Sequence, residues 1–280
     1  MLGEGGDTLS ALAAGNHPWA EVLRGAKAPM VIVGQGALSR PDGAQVLGAV
    51  RTIAESSGMI RSDWNGFNVL HRAAARVAAL DLGFLPGAGG RDVAGILAGC
   101  RSGDVEVLYL LGADELDLTD TGSAFVIYQG HHGDHGARRA DVVLPGVAYT
   151  EKDGTYVNTE GRVQLARRAV FPPGEAREDW KILRALSDAI GRPLPFDTLR
   201  ELRRRMWNAH PILTEADVVR RATWAAFGEV GPVSPGPFEY PIEDFYRTDP
   251  ISRASETMAR CSELFVARRH RASARTGTYG

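Results

Sequence analysis

Cysteine is nearly absent: Cys100 and Cys261 are the only two among 280 residues, and they lie far apart. With no C-x-x-C pair they cannot by themselves hold an iron–sulfur cluster or a zinc ion. Nor do they form a disulfide framework, which fits a reducing compartment. Lysine is scarce too: of 32 basic residues only Lys27, Lys152 and Lys181 are lysines, and 34 acidic residues leave a net charge of −2. That balance lacks the electrostatic signature of a nucleic-acid binder. No apolar run approaches the ~18 residues of a membrane span. Met1 to Ala14 places acids and glycines where a signal peptide needs a basic start and an apolar core. The expectation is a soluble intracellular chain with no nucleic-acid partner and no direct membrane insertion. At this length a chain buries roughly 75% of its unfolded surface, so folding requires neither metal nor disulfide.

What is present reads as α/β. Pro29-Met-Val-Ile-Val-Gly34 is a short apolar run closed by glycine, the pattern of a buried parallel strand. Asp42 and Gln45 form a capping-box pattern ahead of a helix whose apolar face is Val46, Val50, Ile53 and Ala54. Leu70, Val77 and Leu80 predict a second helix from about Phe67 to near Gly83, and Asp92 to Cys100 a short third. Val105 to Leu111, Ala124 to Gln129 and Asp141 to Leu144 read as further strands. Strands alternating with helices predict a doubly wound, mainly parallel sheet. Tyr156-Val157 and Val163 with Leu165 flank Glu160-Gly161 as a hairpin or extended arm. Beyond Pro172, the stripe Trp180, Leu183, Leu186 and Ile190 is closed by Gly191 and Pro193. Leu199, Leu202 and Met206 suggest another helix, and Thr214-x-x-Asp217 opens one more. Gly231 to Pro241 is a loop, and the tail from Arg253 is a helix fraying into an Arg/Ser/Gly end.

Three features could carry chemistry. Gly34-x-Gly36 follows a strand as a dinucleotide fingerprint would, but Ser39 replaces the third glycine and the next helix starts only near Asp42, so nucleotide binding is not expected. His131, His132, Asp134 and His135 are the most metal-like cluster. Gly130, Gly133 and Gly136 around them argue against a helix that would present His131 and His135 together, and favour a loop with locally bonded or interfacial histidines. The polar run from Asp141 through Glu151-Lys-Asp-Gly-Thr155 to Asn158, Glu160, Arg162 and Gln164 would suit a ligand crevice at a strand end. It would equally suit an irregular loop satisfying buried backbone, and the residues alone leave both readings open.

That run also resembles a known family. Ala140-Asp-Val-Val-Leu-Pro145, Glu151, Gly154-Thr155, Asn158-x-Glu160-Gly161-Arg162-x-Gln164, Pro172-x-Gly174 and Asp179-Trp180 resemble the molybdopterin oxidoreductase superfamily. Within it the chain is similar to the C-terminal part of the large iron–sulfur subunit of respiratory complex I, an NADH-quinone oxidoreductase. Supporting stretches are His17-Pro18, Leu70-His71-Arg72, Leu111-Gly-Ala-Asp114, Tyr128 through Asp134, Asp244-Phe245-Tyr246 and Ser252-Arg-Ala-Ser255. Together they cover nearly all of residues 10–262.

The resemblance implies an α/β domain of the molybdopterin oxidoreductase type over 1–195, a helical C-terminal extension over 196–262, and a disordered tail over 263–280. It implies that the chain starts within the C-terminal domain, and that the clusters, 2Fe-2S and 4Fe-4S, belong to an N-terminal region outside it. No catalytic residue, metal ligand or cofactor is then expected in this segment. Asp141, Asn158, Glu160, Arg162 and Gln164 would be a pterin-site remnant, retained as structural residues that stitch loops together. Helical segments from Leu199 to Trp224 would replace the barrel that closes over a pterin. The implied role is a non-catalytic structural segment of the peripheral arm. Its partners would be other arm subunits and the cluster-bearing region of its own subunit, at the cytoplasmic face of the inner (plasma) membrane. The alternative is a molybdopterin-binding oxidoreductase module.

Overall fold

Two cores organise the chain. The computed structural model describes residues 3, 5–238, 242 and 244–266. It divides into one compact unit of Met1–Asp81, Tyr156–Gln164 and Ile212–Pro241 and a second of Leu82–Thr155, Leu165–Pro211 and Ile242–Gly280.

In the first unit, β1 (Val31–Gly34) and β2 (Phe67–Leu70) pair in parallel, with Val31 opposite Phe67 and Gly34 opposite Leu70. Helices α1 (Gly6–Ala13), α2 (Trp19–Gly25), α3 (Gln35–Leu38), α4 (Gly43–Ser56) and α5 (Arg76–Asp81) accompany them. The expected stripe Val46, Val50, Ile53 and Ala54 is the buried side of α4. Ile53, Ala54 and Met59 form a core against Leu9, Leu12, Leu23, Val31, Phe67 and Trp224.

Three expectations fail here. Phe67–Leu70 is a strand, because this β-rich run finds β1 to pair with; the helix is confined to α5. A helical turn, α3, follows Gly34 directly instead of starting near Asp42. Asp42 does precede α4 but makes no side-chain cap. Its carboxylate instead takes two bonds from Arg40, at 2.8 and 3.0 Å, and one from the Ser234 N–H at 2.7 Å. The Arg40 bond and then that N–H lower its pKa to about 2.

The segment after Leu213 runs without helix, so the one expected at Thr214-x-x-Asp217 is absent; Asp217 has a positive φ of 63°, outside helical geometry. Residues 227–229 lie against α4 backbone to backbone. A Cβ at Gly48 would collide with the Glu229 carbonyl, while Arg51 donates to the Phe227 carbonyl at 2.7 Å. Phe67, Trp224 and Phe227 pack edge-on, with centroids 4.9–5.3 Å apart.

In the second unit, β3 (Val107–Leu111), β4 (Phe125–Gly130) and β5 (Val142–Pro145) form a parallel sheet in the order β3-β4-β5. Helix α6 (Val93–Ser102) is capped by Asp92, which accepts from Gly95 N–H at 2.8 Å, and ends at Gly103 with φ 83°. Cys100 of α6 joins Leu108, Leu110, Val126, Tyr128 and Leu118 in the core. Helix α7 (His135–Arg139) is one short element; the helix argued against by Gly133 and Gly136 does form, but only from His135 on. Helix α8 (Asp179–Ala189) is followed by Gly191 at φ 71°, as its stripe predicts. Then come α9 (Leu199–Ala209), boxed by Thr198 and Glu201, α10 (Pro250–Ala254) and α11 (Glu256–Cys261). Ser262–Val266 is a π-helical turn, and the tail expected to be disordered lies, from residue 267, outside the described residues.

Strands β6 (Gly154–Val157) and β7 (Val163–Ala166) make the expected hairpin, in which the chain passes from the second unit to the first and back. The whole is mixed α/β with small sheets, parallel in both units.

Candidate functional site

Because β3, β4 and β5 run parallel, they end at one edge, at Leu111, Gly130 and Pro145. Open α/β sheets bind ligands outside that carboxyl edge. Gly112, at φ 60°, turns the chain after β3 and leads to Asp114, which is 1% exposed. One Asp114 carboxylate oxygen accepts from the Gly136 N–H in the first turn of α7. Gly136 must stay bare for this: a Cβ there would lie 2.7 Å from the Tyr128 ring. Tyr128 donates its hydroxyl to the His132 carbonyl at 3.0 Å, and burial, with the Asp114 charge beside it, pushes its pKa up to about 12.

Into this edge comes Arg253. Its position follows from local sequence: Asp249 caps α10 by accepting from Ile251 and Ser252 N–H at 2.9 and 3.1 Å, and Pro250 supplies the fixed φ of a first helical residue. The Arg253 Nε donates to Asp134. Its Nη2 lies 3.8 Å from the second oxygen of Asp114 and 4.0 Å from Glu115. Neither that oxygen nor Nη2 has a hydrogen-bond partner, so the two buried groups are compensated by charge alone. Burial raises the Asp134 carboxyl, but the Arg253 bond and charge outweigh it and hold the group below its ordinary 3.8. A surface cavity of about 670 Å³ adjoins, lined by Asp114, Asp117, His135, Arg138 and Arg253 among others.

Beside β4 and β5 lies a second polar group. Gln129 donates to the Asp179 carboxylate at 3.0 Å, and Lys152 pairs with the same carboxylate. His131 and His132 bring their Nδ1 atoms to 2.7 Å, so one ring is protonated there and the other accepts. Desolvation, then His132 and Lys152, keep His131 below its ordinary value and hence neutral at pH 7. His135 stands 3.6 Å from Asp134. A cavity of about 470 Å³ meets His131, His132, Glu151 and Glu175. Among the described residues no group of three or more His, Cys, Asp or Glu is placed to share a metal ion.

The polar run is dispersed. Asp141 belongs to the second unit, Asn158 to Gln164 to the first. Asp141 accepts from Val126 N–H at 2.8 Å, pinning the start of β5 to β4. Asn158 accepts from Glu160 and Arg162 N–H, both at 3.0 Å, and Arg162 donates to Glu160 and to the Asp217 carbonyl at 3.4 and 2.7 Å. Gln164 is exposed on β7. Sequence reasoning missed the Asp114–Asp134–Arg253 cluster. Its signal was Asp249-Pro-x-Ser252, a strong helix start that fixes where Arg253 stands but not what it meets.

Known proteins match this chain in two stretches. The family model described as molybdopterin oxidoreductase matches residues 1–189. A second model, that of the C-terminal part of the large iron–sulfur subunit of NADH-ubiquinone oxidoreductase, matches 217–261, which contains Arg253. The chain belongs to the molybdopterin oxidoreductase family. Within that family it corresponds to the C-terminal molybdopterin-like region of the large iron–sulfur subunit of complex I. It is 46% identical over 267 residues to the mitochondrial NADH dehydrogenase (ubiquinone) iron-sulfur protein 1 of Solanum tuberosum, covering 94% of this chain and 35% of that protein. It is 40% identical over 267 residues to the NADH-ubiquinone oxidoreductase 75 kDa subunit of Reclinomonas americana, covering 94% and 38%. The chain thus spans about a third of the length of these curated relatives. Among the described residues no helix is long and apolar enough to cross a membrane.

Proposed function

We propose that this chain is a non-catalytic structural segment of an NADH-quinone oxidoreductase, contributing to the peripheral arm that passes electrons from NADH to quinone. One observation carries the reading. The carboxyl edge of β3–β4–β5, where an open α/β sheet would take a ligand, is filled by Arg253, a side chain from the stretch that matches the complex I family model. The carboxylates there are committed to that guanidinium.

The residues present do not fit a pterin. Asp141, Asn158 and Arg162 direct their polar atoms at backbone groups, and they are divided between two units. They act as structural residues that fix loops. The short parallel sheets are then parts of a doubly wound architecture completed in the whole subunit. Its iron–sulfur clusters, 2Fe-2S and 4Fe-4S, are held in the N-terminal region, and its partners are that region and neighbouring arm subunits at the cytoplasmic face of the inner membrane.

A pterin-binding oxidoreductase module is the second reading, favoured by the family match over 1–189. Metal analysis and fluorescence of released pterin on the purified protein separate the two. The scaffold reading expects neither molybdenum nor pterin in stoichiometric amount, and association on mixing with the N-terminal region and arm subunits. A stoichiometric cofactor, or no association at all, overturns it.

A further inference from the structure

The sheet β3–β4–β5 is covered on one side only. Alternation along the strands sends Leu108, Leu110, Val126 and Tyr128 into the core against α6. It sends Val107, Phe125, Ile127 and Val142 to the opposite face, where the register sets Val107 beside Phe125 and Ile127 beside Val142. Val107 is 57% exposed and Phe125 46%. Further along the same face Gln129 is fully buried, because the start of α8 lies over it through Asp179. Cover therefore exists over the carboxyl end of this face and stops short of its amino end.

The first unit repeats the condition independently. Val33 is buried, while Ile32 and Leu70 on the other side of β1–β2 are 55% and 53% exposed. Parallel sheets are normally buried on both faces, under helices. A contiguous bare apolar patch marks a surface that something covers.

The relatives indicate where the cover comes from. This chain corresponds to their C-terminal region and spans 35% and 38% of their length, so the remaining two thirds lie N-terminal to it. We infer that the bare face formed by Val107, Phe125, Ile127 and Val142 is the docking surface for the N-terminal part of the large iron–sulfur subunit, which covers it with the apolar stripe of an amphipathic helix. A second copy of this chain fits less well. Two such faces pressed together would make a sheet-on-sheet sandwich, an arrangement of antiparallel sheets, whereas parallel sheets take helices. This inference rests on the scaffold reading above and names the surface through which it works.

The test titrates the recombinant N-terminal two thirds of the subunit into the full 280-residue chain. Wild type is compared with the double variant Val107→Lys/Phe125→Lys and with Val230→Lys, a control at a 97% exposed position in the other unit. Both lysines of the double variant replace half-exposed side chains, and far-UV dichroism checks the fold. A second readout needs no folded double variant: thiol labelling of Val107→Cys in a Cys261→Ser background, with and without the N-terminal polypeptide. The inference expects at least 100-fold weaker binding for the double variant, unchanged binding for Val230→Lys, and at least 10-fold slower labelling of Val107→Cys in the complex. Undiminished binding by the double variant overturns this surface while leaving the scaffold reading in place. No binding by wild type overturns both. Labelling slowed by raising the concentration of this chain alone assigns the face to a second copy and overturns the inference.

Discussion

Arg253 concentrates more of the second unit's electrostatics than any neighbouring side chain. Its guanidinium answers Asp134, Asp114 and Glu115, with Asp114 wholly buried. Removing one partner of a buried charge group leaves the others uncompensated, at a cost of about 3 kcal/mol. Arg253→Met should therefore lower stability by about that amount in urea unfolding and speed amide exchange across 250–261. Arg253→Lys keeps the charge but not the fork, so it should recover only part of the loss. The pH dependence has a definite sign. Asp134 in the folded chain lies below its ordinary 3.8, so its contribution is fully present above that value and is lost as pH falls through the lower, folded one. The stability difference between wild type and Asp134→Asn should be constant from about pH 7 to 5 and shrink below about pH 4. Urea curves at three pH values test it; a gap that widens in acid would contradict the assignment.

Among the elements, local chemistry decided what could be read in advance. Short apolar runs ending in glycine became β1 and β3 because buried parallel strands need little else. Asp92 ahead of Val93 became a working cap, and Asp92→Ala should cost about 1 kcal/mol, with Asp92→Ser recovering most of it in thermal unfolding. Asp42 looked alike in sequence but was drawn off by Arg40 and by Ser234, 192 residues away along the chain. No reading of neighbours along the chain sees that competitor. Phe67–Leu70 failed for a related reason: a four-residue run has too few turns to show a period, and its strand identity comes from β1 beside it. The polar run was legible as a cluster of polar residues but not in its targets, since those are backbone groups of other segments. The Arg253 site was invisible because its members stand at 114, 134 and 253, joined only by the fold.

At the scale of the molecule, chain order and spatial order part company. The chain changes unit at 81/82, 155/156, 164/165, 211/212 and 241/242, so neither unit is a continuous stretch. A cut at residue 195, where sequence pattern places the end of the α/β domain, would remove material from both. The first unit would lose Trp224 and Phe227, which pack on Phe67, and the Ser234 N–H that holds Asp42. It would also lose the 227–229 backbone that Gly48 is bare to receive. The second unit would lose Arg253, leaving Asp114 buried beside Asp134 without its cation. A 1–195 fragment should therefore show weakened near-UV dichroism and no cooperative urea transition at the midpoint of the full chain. Adding back 196–280 as a separate polypeptide should restore part of the signal, because the missing contacts are non-covalent. A fragment with the full chain's midpoint would mean that the C-terminal third is an appendage and that its contacts with α4 and with the edge of β3–β4–β5 contribute little to either core.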